Sequence, residues 1–347
     1  MNKVNSEVEK ELVVEITSQC PQSCIFCSSN SGPEQNQFLD LNQIRSIIDA
    51  ARKNGITHIC LSGGEPLCHS KLFEIIKMIS ERGFNLCLYT CGIYMKDDEI
   101  SEIPDKFAEF FANIPNFIIR VNFQSSDRYV FETITNRKRT YVYAQKSLKK
   151  LLNRNIRVQA HIVPNQQNLN SLEDTLDYLL YSGVKTIKVL RFVAQGRGEK
   201  NRRSVDPEYI NLQYKRVLKK IQQKYDPEDV QIGTAFSNYC NSNSGCYAGI
   251  NKFCITPDFC LHPCVSLKDQ SGLKIESISI QSAFDQIPKK IPREKIEAKC
   301  KSCPITASCS EICPRQILDC QQRFNDDLDE NRHVNQAILV GKNECQN

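Results

Sequence analysis

Three cysteines, Cys20, Cys24 and Cys27, stand in the run Thr17-Ser18-Gln19-Cys20-Pro21-Gln22-Ser23-Cys24-Ile25-Phe26-Cys27, spaced C-x3-C-x2-C. Thiolates ligate zinc and iron-sulfur clusters, and the count of three separates the two. Structural zinc draws four ligands, often from paired C-x2-C elements, whereas a [4Fe-4S] cube held by three thiolates leaves one iron open to a ligand that is not protein. A second motif, Ser62-Gly63-Gly64-Glu65-Pro66-Leu67, combines two glycines with a carboxylate. The glycines let backbone come close to a ligand, and the carboxylate can accept hydrogen bonds from an ammonium group.

Eleven of the 18 cysteines fall between Cys240 and Cys345. Cys300, Cys303, Cys309 and Cys313 are spaced C-x2-C-x5-C-x3-C, which taken alone fits one zinc site. Thr256-Pro257-Asp258 and Pro263-Cys264 frame a predicted hairpin. Lys3, Glu7, Glu9, Lys10 and Glu11 interrupt the N-terminus, so no signal-peptide core is expected, and no run approaches the ~20 apolar residues of a membrane span. A cytoplasmic location follows, where stable disulfides explain many cysteines poorly and metal explains them well.

The elements that must position these residues follow a βα alternation. Strands are predicted at 13–17, 57–62, 84–90, 116–123, 157–163 and 186–192, with helices between them. Asp40 with Gln43 reads as a capping box before Ile44, Ile47, Ile48 and Ala51, and Leu72, Ile75, Ile76 and Ile79 repeat the helical spacing. Six units are fewer than the eight of a closed barrel. The fold class is therefore α/β: a partial (β/α)6 barrel over residues 1–230, with chemistry at the C-terminal strand ends, then a small cysteine-rich, loop- and hairpin-rich domain over 231–347. A composition of 40% hydrophobic and 24% charged residues excludes a disordered or fibrous chain, and a net charge of +5 does not call for nucleic acid.

With these two motifs one strand apart, the sequence resembles the radical S-adenosylmethionine (radical SAM) enzymes. The resemblance implies that Cys20, Cys24 and Cys27 ligate a [4Fe-4S] cluster whose open iron binds SAM, which is cleaved reductively to a 5'-deoxyadenosyl radical that takes hydrogen from a substrate. Phe26, Ser62, Gly63, Gly64, Glu65, Asn122 and Gln124 match its cofactor-binding positions. Asn122 and Gln124 are equally readable as ordinary polar residues at a strand end. Cys91 stands where relatives usually carry asparagine, and Gln195-Gly196-Arg197-Gly198 reads first as a flexible loop.

The C-terminal cysteines resemble the SPASM extension with two auxiliary [4Fe-4S] clusters. Carried over by residue, Cys240, Cys246, Cys264 and Cys313 hold one. Cys300, Cys303 and Cys309 hold the other, with Cys345, or alternatively Cys320, as its fourth ligand. Phe259 replaces a glycine usual in relatives. Cys60 and Cys87, inside apolar strands, read as small buried hydrophobes. The resemblance implies a peptide or protein substrate, modified by crosslinking, oxidation or epimerisation, and an electron donor such as flavodoxin or ferredoxin. Val265 after Cys264, where sulfatase-maturing relatives carry an acid, argues against formylglycine formation. Radical chemistry on a small metabolite or cofactor precursor, and a non-catalytic cluster- or zinc-binding regulator, are the alternatives.

Overall fold

The computed structural model describes residues 9–207, 211–232, 248–269 and 272–288. Strands β1 (Glu11–Thr17), β2 (His58–Gly63), β3 (Asn85–Thr90), β6 (Phe117–Asn122), β7 (Arg157–Ile162) and β8 (Thr186–Val189) lie side by side and parallel. They are the six predicted strands. Helices α1 (Leu41–Lys53), α2 (Leu72–Glu81), α3 (Asp105–Ala112), α4 (Arg128–Thr135), α5 (Thr140–Asn153) and α6 (Leu172–Tyr181) connect them. Asp40 caps α1 in the expected capping box, and Ile44, Ile47 and Ile48 are buried.

The sheet is longer than predicted. A seventh parallel strand, β9 (Val230–Ile232), pairs with β8. The expected hairpin, β10 (Lys252–Ile255) and β11 (Cys260–His262), adds to the free edge of β1, followed by β12 (Leu273–Lys274). β10 runs parallel to β1, with Glu11 opposite Lys252 and Val14 opposite Ile255. The sheet therefore continues past residue 230, because residues 251–255 satisfy the hydrogen-bonding groups on that side of β1. The chain resolves into two compact units, Met1–Ser242 with Tyr247–Lys290, and Asn243–Cys246 with Ile291–Asn347; the second lies outside the described residues. A small antiparallel pair, β4 (Ile93–Lys96) and β5 (Glu99–Glu102), follows β3.

Alternation along the strands separates two faces. Leu12, Val14, Ile16, Ile59, Leu61, Leu86 and Leu88 pack with the helices in the main core. Val13, Cys60, Cys87 and Cys254 form a second cluster, with Tyr89 and Ile118 against it. The register Cys254, Val13, Cys60, Cys87, Ile118 makes this one row across five strands. Cys60 and Cys87, opposite one another with Cα atoms 4.6 Å apart, are joined in a disulfide, where the sequence predicts separate buried thiols.

His161 on β7 is 2% exposed, its ring against Tyr89 and its Nε2 3.0 Å from Gln159 Oε1. Burial, then the positive charges of Arg120 and Lys188, hold its pKa well below 6.5. Below pH 6.5 the unfolded chain takes up a proton that the folded chain refuses, so stability falls as pH falls, by about 1.4 kcal/mol per pH unit. His161→Phe should flatten that slope in urea unfolding between pH 7 and pH 5; an unchanged slope would assign it to other groups.

Candidate active site

Strand β1 delivers the chain into the three-cysteine loop at the C-terminal rim. The loop is tied down on all sides by its own backbone. Cys20 N–H donates to Gly32 O, Cys27 N–H to Cys24 O, and Ser23 and Ile25 N–H groups to Thr135 O and Ile134 O at the end of α4. Cys20 is buried, while Cys24 and Cys27 are half-buried. Gln22 N–H lies 3.5 Å from Cys20 Sγ, and the Cys24 thiol lies 3.5 Å from Gln22 Oε1.

The glycines of the second motif press directly against this loop. Gly64 N–H donates to Thr17 O and Glu65 N–H to Gln19 O, each at 2.7 Å. A Cβ on Gly63 would lie 2.2 Å from Thr17 O, and one on Gly64 2.1 Å from Gln19 O. Gly63 also has φ 122°, a conformation that suits glycine alone. Both positions thus require glycine to let two backbone segments touch.

From the other side the loop is clamped by Gln195–Gly198, which is no free loop. Arg197 donates from Nε to Cys24 O at 2.9 Å and from Nη2 to Ser31 O, and its N–H reaches Cys27 O. Asn201 Nδ2 donates to Ile25 O, and Gly196, at φ 61°, would place a Cβ 2.6 Å from Cys27 O. Arg197 fits because a guanidinium has several N–H groups to divide among carbonyls.

The remaining candidates separate into structural and available groups. Glu65 is fully buried, and its carboxylate accepts from Thr90 Oγ1 and Cys91 N–H at 2.7 Å and from Leu67 N–H at 3.2 Å. Its side chain thereby joins the ends of β2 and β3. Burial raises the Glu65 pKa, opposed by those hydrogen bonds. The Cys91 thiol is pushed well up, by burial first and then by its hydrogen bond to Cys20 and the Glu65 charge. Gln124 is buried, its Oε1 accepting from Val163 N–H, whereas Asn122 is half-buried with no side-chain hydrogen bond among the described residues. Phe26 packs on Phe192, Ala194 and Val205.

A group invisible to motif reading lies beside the loop. Glu15 of β1 and Lys268 are 6% and 8% exposed, 2.6 Å apart, and both bond Ser29 Oγ. Gln195 donates to Ser28 O and Val265 O and accepts from Lys268 N–H, tying the cysteine loop to the segment after Cys264. The one available signal was a carboxylate, Glu15, between the apolar residues Val14 and Ile16 of the strand. Phe259 adopts φ 57°, the conformation that a glycine would supply more easily, so the hairpin keeps its turn. Cys240, Cys246, Cys300, Cys303, Cys309, Cys313, Cys320 and Cys345 lie outside the described residues.

The residues of the loop are compatible with a cluster held by thiolates. Among the described residues no group of three or more His, Cys, Asp or Glu side chains is arranged to hold one metal ion. Yet Cys20, Cys24 and Cys27 sense one another: burial, then the two neighbouring thiols, raises the Cys24 pKa well above its ordinary value. Gln22 Nε2, a buried donor in the same loop, has no partner. Three thiols that act on one another, beside a buried donor without a partner, suit a polynuclear group with electron-rich sulfurs.

Residues 14–179 match the Radical SAM superfamily model. This segment, just under half of the chain, is similar to the radical SAM superfamily. The family's cofactors are a [4Fe-4S] cluster and SAM. Sporulation killing factor maturation protein SkfB of Bacillus subtilis (strain 168) is 21% identical over 199 residues, 57% of this chain and 46% of its own length. The chain thus spans less than half of that relative. PqqA peptide cyclase of Bradyrhizobium diazoefficiens is 21% identical over 275 residues, 77% of this chain and 69% of its own. Streptococcus suis SuiB bound to SAM superposes with a TM-score of 0.66 at 15% identity, covering 90% of this chain and 74% of SuiB. SuiB is also solved with the precursor peptide SuiA, at a TM-score of 0.65. Among the described residues no helix is long and apolar enough to cross a membrane.

Proposed function

We propose that this radical SAM chain modifies a ribosomally made peptide by crosslinking, oxidation or epimerisation. Cys20, Cys24 and Cys27 are the proposed cluster ligands, and the backbone of Ser62, Gly63 and Gly64 is the proposed seat of the methionyl group. When bound, the cluster and SAM supply a 5'-deoxyadenosyl radical that abstracts hydrogen. The protein's part is to hold these groups, keep water from the rim, and present one substrate C–H bond. Asn122, with its amide uncommitted, is placed for the ribose. Gln124 and Glu65 serve the same site by fixing strand ends, and Phe26 by packing the loop onto the β8 exit.

The observation that carries this reading is the contact between the two motifs. The glycine turn has no room for a Cβ because it lies on the carbonyls of Thr17 and Gln19, the residues that lead into Cys20. The peptide substrate is supported by the similarity to the maturation protein SkfB and to PqqA peptide cyclase, and by the SuiB complex with SuiA. In the proposed SPASM-like region, Cys264 with Cys240, Cys246 and Cys313 holds one auxiliary [4Fe-4S] cluster, and Cys300, Cys303 and Cys309 with Cys345 or Cys320 hold the second. A flavodoxin or ferredoxin is the proposed electron donor.

Anaerobic reconstitution tests the assignment. Wild type with dithionite and SAM should release 5'-deoxyadenosine. The Cys20→Ala, Cys24→Ala, Cys27→Ala triple variant should release none and should lose its share of iron and sulfide. A triple variant that keeps all the iron, or wild type that yields no nucleoside, overturns the reading. For the substrate, a short Cys- or Gly-rich peptide encoded beside the gene should change mass on incubation with the active enzyme.

A further inference from the structure

Buried side-chain donors are nearly always paired, so an exception inside the three-thiol loop asks for a reason. Gln22 is 3% exposed, and its Nε2 has no hydrogen-bond partner. The rest of the residue is engaged with sulfur. Its backbone N–H lies 3.5 Å from Cys20 Sγ, and its Oε1 accepts from the Cys24 thiol at 3.5 Å. Ligation to a metal removes the thiol proton. The amide oxygen would then face a thiolate, two electron-rich atoms in contact. Half a turn about the Cγ–Cδ bond replaces that oxygen with Nε2, and the two amide ends are so alike in shape that the turn needs no new space. The cations on this loop are turned to its carbonyl oxygens, Arg197 by Nε and Nη2 to Cys24 and Ser31 and Arg137 by Nη1 to Pro21.

We propose that Gln22 tunes the cluster at Cys20, Cys24 and Cys27: in the loaded protein its side-chain amide donates a hydrogen bond to the Cys24 thiolate and raises the cluster's reduction potential. Hydrogen bonds to cluster sulfurs stabilise the reduced form, which carries one more negative charge. Gln22 is a positioning and tuning residue that touches no substrate. The inference rests on the proposed cluster assignment above.

The test is an EPR-monitored redox titration of full-length, anaerobically reconstituted protein without SAM. The signal followed is the one missing from the Cys20→Ala, Cys24→Ala, Cys27→Ala triple variant. Gln22→Met keeps the volume and removes the donor. It should bind as much iron as wild type, with a midpoint shifted to more negative potential. The expected size is about a tenfold lower reduced-to-oxidised ratio at fixed applied potential, or about 59 mV for one electron. Wild type labelled with 15N at glutamine side-chain amides should also show a 15N hyperfine coupling to the cluster. That measurement decides the matter even if Gln22→Met fails to load. A cluster present with unchanged midpoint, or without 15N coupling in wild type, overturns the role of Gln22 alone. Equal iron in wild type and the triple variant overturns the cluster assignment, and the Gln22 role falls with it.

Discussion

Gly64→Ala should abolish iron binding by the three-cysteine loop and lower SAM cleavage at least about 100-fold, while the folded sheet survives. The added methyl would stand 2.1 Å from Gln19 O and 2.8 Å from Ser18 O. Both obstacles are backbone atoms, so no side chain can swing aside, and either the turn or the loop must move. Overpacking of this kind costs about 1–3 kcal/mol, which a domain can absorb in stability. The site cannot absorb it, because the loop that moves carries Cys20. A control separates strain from contact. Gly83, at φ 78°, has nothing within 4 Å of a built Cβ. Gly83→Ala should cost about 1–2 kcal/mol of stability through left-handed backbone alone, and leave iron content unchanged. Iron and sulfide analysis, circular dichroism and the 5'-deoxyadenosine assay read the three quantities. Full iron and full turnover in Gly64→Ala would refute the close contact.

Lys268→Met should destabilise the protein by about 3–5 kcal/mol, because it strands a buried carboxylate at Glu15. The pair is enclosed on both sides, with Ser29 Oγ bridging it. Removing both charges in Glu15→Leu with Lys268→Met should recover most of that loss, since a buried ion pair contributes little net stability over apolar replacements. Urea unfolding of the two single variants and the double variant measures the coupling, and a Lys268→Met midpoint equal to wild type would mean that the pair is not enclosed. The pH dependence has a definite sign. Burial lowers the Lys268 pKa, but the Glu15 carboxylate together with the nearby Cys254 and Cys27 outweighs it and the net value lies above 10.5. The contribution of Lys268 is therefore complete below pH 10.5 and fades as pH rises through the folded value, since the unfolded lysine gives up its proton first.

Most of the barrel and the heart of the site are legible in the sequence, because both rest on local signals. Strand positions follow from apolar runs such as Leu12–Ile16, helices from the 3.6-residue spacing of Ile44, Ile47 and Ile48, and the site from two motifs at successive strand ends. What was not legible depends on partners far apart in the chain. The role of Gln195–Gly198 as a clamp arises from carbonyls at positions 24, 27, 28 and 31, more than 160 residues away. The pairing of β10 with β1 spans a still longer distance, 241 residues from Glu11 to Lys252, and a four-residue strand has no pattern that names its neighbour. Cys60 and Cys87 looked like independent apolar positions because register alone sets them opposite each other. Glu65 illustrates a subtler difference. The motif reading gave its carboxylate to a ligand, yet the fold supplies three donors from its own chain first.

Because β10 flanks β1, the strand that carries the cysteine loop is interior to the sheet, with β2 on its other side. A chain shortened at the apparent end of the barrel repeat, near residue 230, would strip that flank and leave a row of bare amides and carbonyls along Glu11–Val14. Exposed rows of this kind recruit strands from other molecules, so dissecting the barrel there would invite self-association at its most sensitive strand.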